Sequence, residues 1–276
     1  MTEEQILAGD RVTLHRRGAE VAVMRLSNPP HGFMDEASEH ELEAALDAID
    51  DLPELRVVIV TGGQPGVFVR HYDVGVLEQR GRAMAARGLR FGTDRPVPEG
   101  RVHRCYRRIE NSDCIFIAAI NGAAMGGGFE LALACDLRIA QDGDYRIGLP
   151  ETNIALLPGA GGTQRLTRLI GAGRTLEYLL FGRTFVPREA AALGLVNECC
   201  EGSLLDRCLA LADGLVRRHP LAIAHVKRLV RNAAGDPYEK MLADERTLFC
   251  DLMVSERTIA DTAAFNASGR PISDPP

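Results

Sequence analysis

An unbroken apolar run from Cys114 to Ile120 leads into Asn121-Gly122-Ala123-Ala124-Met125-Gly126-Gly127-Gly128-Phe129-Glu130, and the residues after it, through Asp136, follow a helix-like pattern. A continuous apolar run of this length suits a strand buried on both faces. Three successive glycines then let the backbone pass close to a ligand. The helix behind them turns unpaired N–H groups and the positive end of its dipole toward the same place. That arrangement suits a developing oxyanion. Glu130 lies one helical step further on, and a second carboxylate, Glu151, follows in Gly148-Leu149-Pro150-Glu151-Thr152-Asn153. Two carboxylates beside backbone donors can move protons next to a polarised carbonyl. Each also has a plainer reading: Glu130 as half of a structural salt bridge in an apolar helix, Glu151 as a helix-start residue favoured by the dipole.

A second glycine-rich stretch, Leu157-Pro158-Gly159-Ala160-Gly161-Gly162-Thr163-Gln164-Arg165-Leu166, is again placed to lead into a helix. Together with Gly126 to Glu130 and Ala134-Cys135-Asp136, it resembles the crotonase superfamily, the enoyl-CoA hydratase and isomerase family. The resemblance extends upstream through Val57-Val58-Ile59-Val60-Thr61-Gly62-Gly63. Downstream it takes in Leu179-Leu180-Phe181-Gly182-Arg183 and Gly194-Leu195-Val196-Asn197, so that it covers about residues 12 to 270.

The resemblance implies an α/β fold, a spiral of β-β-α turns over residues 1–200, with a helical region over 201–276 that joins a homotrimer or homohexamer. It implies an acyl-CoA thioester substrate, with coenzyme A arriving as part of it and neither metal nor redox cofactor required. By position, the backbone N–H groups of Tyr72 and Gly127 would form the oxyanion hole. Glu130 would act as base on a water and Glu151 would deliver a proton to the α-carbon. Arg70, His71, Asp73, Gly126, Pro158 and Gly159 would line the substrate. The implied activity is hydration of a 2-enoyl thioester. Double-bond isomerisation, or hydrolase or lyase chemistry on the same oxyanion hole, is the alternative, and a non-catalytic RNA-binding or scaffold role would leave the two glutamates without purpose.

One segment departs from the family pattern. Where members carry Phe-x-Ala-Gly-Ala or Asn-Asp, this chain has Phe68-Val69-Arg70-His71-Tyr72-Asp73. The donor is a backbone N–H, so the side chains need not abolish it, but they must change the pocket. His71 is either a satisfied histidine or an added acid, base or substrate contact, and His31 invites the same question more weakly.

Composition narrows the setting. The 46% hydrophobic and 25% charged content is that of an ordinary globular protein. No apolar run reaches the roughly 18 to 20 residues of a membrane span, and the acidic start lacks the basic region of a signal peptide, so a cytoplasmic location is expected. Seven scattered cysteines without a C-x-x-C pair argue against a disulfide framework or a zinc site. A formal charge of −6 disfavours a general nucleic-acid binder, yet residues 80 to 108 hold nine arginines against Asp94 and Glu99. This segment fits a solvated helix and loop, or a contact for the phosphates of coenzyme A.

The remaining elements follow hydrophobic period. Val12–Leu14 and Val21–Leu26 predict two strands around a turn at Gly18, and Leu42, Ala45, Leu46 and Ile49 predict a helix before a strand at Arg56–Thr61. Leu137–Ala140 and Tyr145–Ile147 predict short strands. Helical spacing dominates after Cys200, at Leu204–Ala212, at Leu221–Val230 and from Tyr238 through Phe265, with a frayed end from Gly269.

Overall fold

The computed structural model describes residues 3–233, 235, 246–249, 251, 257–258 and 260. The chain opens with strands β1 (Glu3–Ala8), β2 (Val12–Arg17) and β3 (Val21–Leu26) and helix α1 (Glu36–Asp50). Three turns of one spiral follow. In the first, β4 (Val57–Gly62) and β5 (Gly66–Val69) precede α2 (Val74–Ala86) and α3 (Arg101–Asn111). In the second, β6 (Ile115–Ile120) and β7 (Gly122–Met125) precede α4 (Gly127–Ala134). In the third, β8 (Leu137–Gln141) and β9 (Ile147–Gly148) lead through a 3₁₀ turn, Glu151–Ile154, into α5 (Gly162–Ile170) and α6 (Ala172–Leu180). The described elements end with β10 (Thr184–Phe185), α7 (Pro187–Ala192), β11 (Glu198–Cys200), α8 (Leu204–Val216) and α9 (Pro220–Asn232).

Each turn sends its first strand to a seven-stranded sheet of order β1-β2-β3-β4-β6-β8-β11 and its second to a four-stranded sheet of order β10-β9-β7-β5. Pairing is antiparallel from β1 to β3 and parallel from β3 to β11. Strand β6 is buried along its whole length because it lies between β4 and β8 with both faces covered. Its alternate side chains part accordingly. Phe116, Ala118 and Ile120 enter the main core with α1, α3 and α4, while Ile115, Ile117 and Ala119 pack toward Leu204, Cys208 and Ala212 of α8. Helix α1 starts at a capping box, Asp35 with Ser38, and buries Leu42, Ala45, Leu46 and Ile49 on the spacing the sequence predicts.

Five strands were not foreseen, the short β10 and β11 among them. Glu3–Ala8 reads as an acidic terminus but pairs along the edge of the large sheet, and β5 and β7 lie in stretches whose glycines signal turns. Four-residue strands show no alternation long enough to recognise, and their pairing is set by contacts made far along the chain. The strand expected over Tyr145–Ile147 is confined to Ile147–Gly148. Of the helix expected from Tyr238 through Phe265, residues 246–249, 251, 257–258 and 260 are described and helical; the remainder and the end from 269 lie outside the described residues.

The described helices beyond residue 200, α8 and α9, belong to the packing of the whole. Helix α8 covers one face of the large sheet, and α9 is tied in by charge. Lys227 Nζ lies 2.8 Å from Asp136 and donates to the carbonyls of Cys114 and Ile109. Arg231 pairs with Asp136 at 3.0 Å and with Glu110 at 3.4 Å, and Glu110 pairs in turn with Arg165 at 2.6 Å. Among the described residues no helix is long and apolar enough to cross a membrane.

Candidate active site

A cavity of about 540 Å³ lies between α2, α3, the first turn of α4, the 3₁₀ turn and the loop that leads to α5. Gly126 makes the bend from β7 into α4 at φ +49°, a conformation L side chains rarely adopt. Gly127 is the first helical residue, so its N–H has no intrahelical partner. Across from it, Met34 bridges the 71–73 backbone: its N–H donates to His71 O and its carbonyl accepts from Asp73 N–H. Tyr72 N–H is left between them on the Gly127 side. A Cβ on Gly127 would stand 3.5 Å from Tyr72 N. Among the described residues, neither the Tyr72 nor the Gly127 N–H donates to a protein acceptor. Buried Tyr106 braces this corner, its hydroxyl donating to Gly127 O at 2.9 Å.

Gly128 takes α4 past β5 at the closest approach. A Cβ there would lie 1.9 Å from the carbonyl oxygen of Val69, so any side chain would push the helix off the strand. One turn on, Glu130 is 2% exposed, and its Oε1 accepts from Ala160 N–H at 2.7 Å and Gly162 N–H at 2.8 Å. No ion pair of the described residues includes Glu130, so the salt-bridge reading does not apply. The second glycine stretch is what meets this carboxylate. Gly162 leaves room for it, since a Cβ would come within 2.9 Å of Oε1. Burial pushes the Glu130 carboxyl above its ordinary range, against the pull of the Gly162 and Ala160 N–H groups and then of Arg165 and His103.

Glu151 opens the 3₁₀ turn beside Gly126, whose Cβ would stand 3.3 Å from Glu151 Oε1. Its Oε2 is buried without a hydrogen-bond partner. Burial, with a smaller contribution from Glu130, pushes its carboxyl up to about 7. Two carboxyls thus face one cavity in unlike surroundings: Glu130 accepts from two backbone N–H groups, whereas Glu151 Oε2 has no partner. Environments of this kind separate a base from an acid.

His71, Tyr72, Gly126, Gly127, Glu130, Glu151 and Gly159 all line the cavity; Arg70, Asp73 and Pro158 do not. Arg70 Nε donates to His31 O at 2.8 Å, Asp73 caps α2 through Gly75 N–H at 2.8 Å, and Pro158 is buried. His71 stacks on Phe33 at 4.5 Å between ring centroids, with His31 on the other face of Phe33 at 5.1 Å, and its Nδ1 lies 2.7 Å from Tyr72 O. Tyr72 hydroxyl donates to Glu39 at 2.8 Å under the guanidinium of Arg80, and the phenol's pKa is raised by burial and by Glu39.

The arginine-rich segment is largely paired. Arg80 meets Glu36, Arg82 meets Glu78, Arg101 and Arg104 meet Glu43, Arg107 meets Glu99, and Arg108 meets Asp47 and Asp50. Arg80 and His103 reach the cavity. Glu39, His103 and Tyr106 are lining residues that sequence reasoning missed. A signal existed for Glu39, because it falls in phase with Leu42, Leu46 and Ile49 on the apolar face of α1.

The enoyl-CoA hydratase/isomerase family pattern matches residues 16–267. A Bacillus subtilis protein named as an enoyl-CoA hydratase/isomerase, YngF, is 49% identical over 246 residues, covering 87% of this chain and 89% of that one. The short-chain-enoyl-CoA hydratase of Clostridium acetobutylicum is 30% identical over 249 residues, 90% of this chain and 91% of its own. The crystal structure of an enoyl-CoA hydratase from Geobacillus kaustophilus superposes with a TM-score of 0.85 at 29% identity, covering 98% of each chain. With the two-sheet spiral and the cavity it frames, these likenesses establish that the chain belongs to the enoyl-CoA hydratase/isomerase family of the crotonase superfamily.

Proposed function

We propose that the protein is an enoyl-CoA hydratase, adding water across the C2–C3 double bond of an acyl-CoA thioester or running the reverse dehydration. The observation that carries this reading is the pair of unlike carboxylates, Glu130 and Glu151, on one cavity beside two unengaged backbone N–H groups. Tyr72 and Gly127 N–H would receive the thioester oxygen as it gains charge, each worth roughly 3 to 4 kcal/mol by comparison with other oxyanion holes. Glu130 takes a proton from water as its oxygen bonds to C3; the electrons of the double bond move into the enolate, and C2 then takes the proton of Glu151. Solvent exchange restores both carboxyls. None of these steps calls for a metal or redox partner.

The acyl group accepted would differ from a plain straight chain, because His71 and the Tyr72–Glu39–Arg80 cluster put polar atoms on the wall beside the oxyanion donors. A homotrimer or homohexamer is the proposed assembly, supported by exposed Leu176, Leu180 and Phe181 around α6. The activity is tested by ultraviolet loss of the conjugated enoyl thioester across an acyl-CoA panel. Loss of absorbance with formation of the 3-hydroxyacyl thioester is expected. Double-bond migration without hydration would replace the reading with an isomerase.

A further inference from the structure

His103 stands on α3, within the arginine-rich segment, at the rim of the cavity, and its Nε2 lies 2.8 Å from Gly159 O. A carbonyl oxygen only accepts, so Nε2 carries the hydrogen. The same peptide unit, which is trans, carries on its other side the Ala160 N–H that donates to Glu130 Oε1 at 2.7 Å. Imidazole N–H, peptide and carboxylate therefore form one line through a single planar group. A donor on the carbonyl polarises the amide and strengthens its N–H as a donor. It also fixes the angle of a plane whose Gly159 side is exposed in a glycine-rich loop. The next carbonyl, Ala160 O, is held in the same manner by Arg165 at 2.6 Å.

We propose that His103 is a positioning residue for hydration, holding the Gly159–Ala160 peptide so that its N–H stays on Glu130. The inference rests on Glu130 being the base of the proposed reaction. The charged groups around the imidazole are Glu99, Arg104 and Arg107 on or beside its own helix, with Glu130 and Arg165 across the loop. The exposed position of His103 makes its replacement compatible with folding.

The test compares His103→Ala with His103→Gln, whose amide N–H has similar reach, in two measurements. In steady-state hydration, His103→Ala is expected to lower kcat about three- to tenfold, the scale of one lost hydrogen bond, with KM little changed. His103→Gln is expected to recover most of it. In difference infrared titration of the unliganded protein, with Glu130→Gln as reference, the Glu130 carboxyl of His103→Ala should hold its proton to higher pH, and that of His103→Gln should titrate as in the wild type. This second measurement needs no substrate, so it remains readable should the wild-type protein hydrate no enoyl thioester. An unshifted Glu130 titration in His103→Ala, a rise in KM with kcat intact, or His103→Gln as impaired as His103→Ala would each overturn the proposal.

Discussion

The two glycine-rich turns look alike in composition and do opposite physical work. At Gly126 to Gly128 the absence of side chains lets one backbone lie against another: α4 crosses Val69 where even a methyl group has no space, and the bend leaves Gly127 N–H unengaged. At Gly159 to Gly162 the chain makes room for a side chain instead, and the N–H groups of Ala160 and Gly162 close on Glu130. One turn is a steric joint, the other a cradle. A glycine run therefore says that something comes close without saying whether it is backbone or carboxylate.

The largest effect should come from the carboxylates that each turn serves. Glu130→Gln and Glu151→Gln are each expected to lower hydration at least about a hundredfold with folding retained, the usual loss for a missing base or acid. Near wild-type turnover by either variant would remove the two-glutamate mechanism.

The turns themselves can be told apart by adding one methyl group. Gly128→Ala is expected to destabilise the fold by on the order of 3 kcal/mol, because the obstacle is the rigid Val69 carbonyl. Gly162→Ala meets the movable ends of Glu130 and Leu149, so it should cost roughly 1 kcal/mol of stability while displacing Glu130 enough to lower kcat about tenfold. Denaturant midpoints and kcat measured on both variants check the contrast. Equal losses of stability would erase it.

The carboxyl environments predict a bell-shaped pH profile. On the proposed mechanism, hydration should fall as Glu130 gains its proton at low pH, and should fall about tenfold per unit above about 7 as Glu151 loses the proton that mechanism has it donate. A rate that stays flat from pH 7 to 9 would deny Glu151 the role of acid. Stability carries a smaller trace of the same shift. The folded Glu151 carboxyl titrates above its ordinary value, so its contribution is present at acid pH and is lost as pH rises through about 7. Unliganded wild-type protein should accordingly lose more stability between pH 5 and 8 than Glu151→Gln, read from unfolding midpoints across that range.

Much of this architecture was legible along the chain. Period and apolar continuity mark α1 and β6, because those elements bury whole faces, and the same local chemistry singles out Glu130 and Glu151. What could not be read is how distant segments meet. Glu130 and Ala160 are 30 residues apart, Tyr72 and Glu39 are 33 apart, and His103 and Gly159 are 56 apart. Such partners are chosen by the winding of the spiral. Arg70 shows the converse: the family resemblance implied a substrate contact, yet its Nε–H turns to the carbonyl of His31.

The chain of charges from α9 gives the molecule a hidden dependency. Arg231 holds Glu110, Glu110 holds Arg165, and Arg165 holds the carbonyl of Ala160, next to the N–H that grips Glu130. For anyone dividing the protein into modules, the consequence is that α8 and α9 are no detachable appendage. A chain cut before them would strip Glu110 of its second arginine and bare the Arg165–Glu110 pair to water, at the loop whose N–H groups hold Glu130.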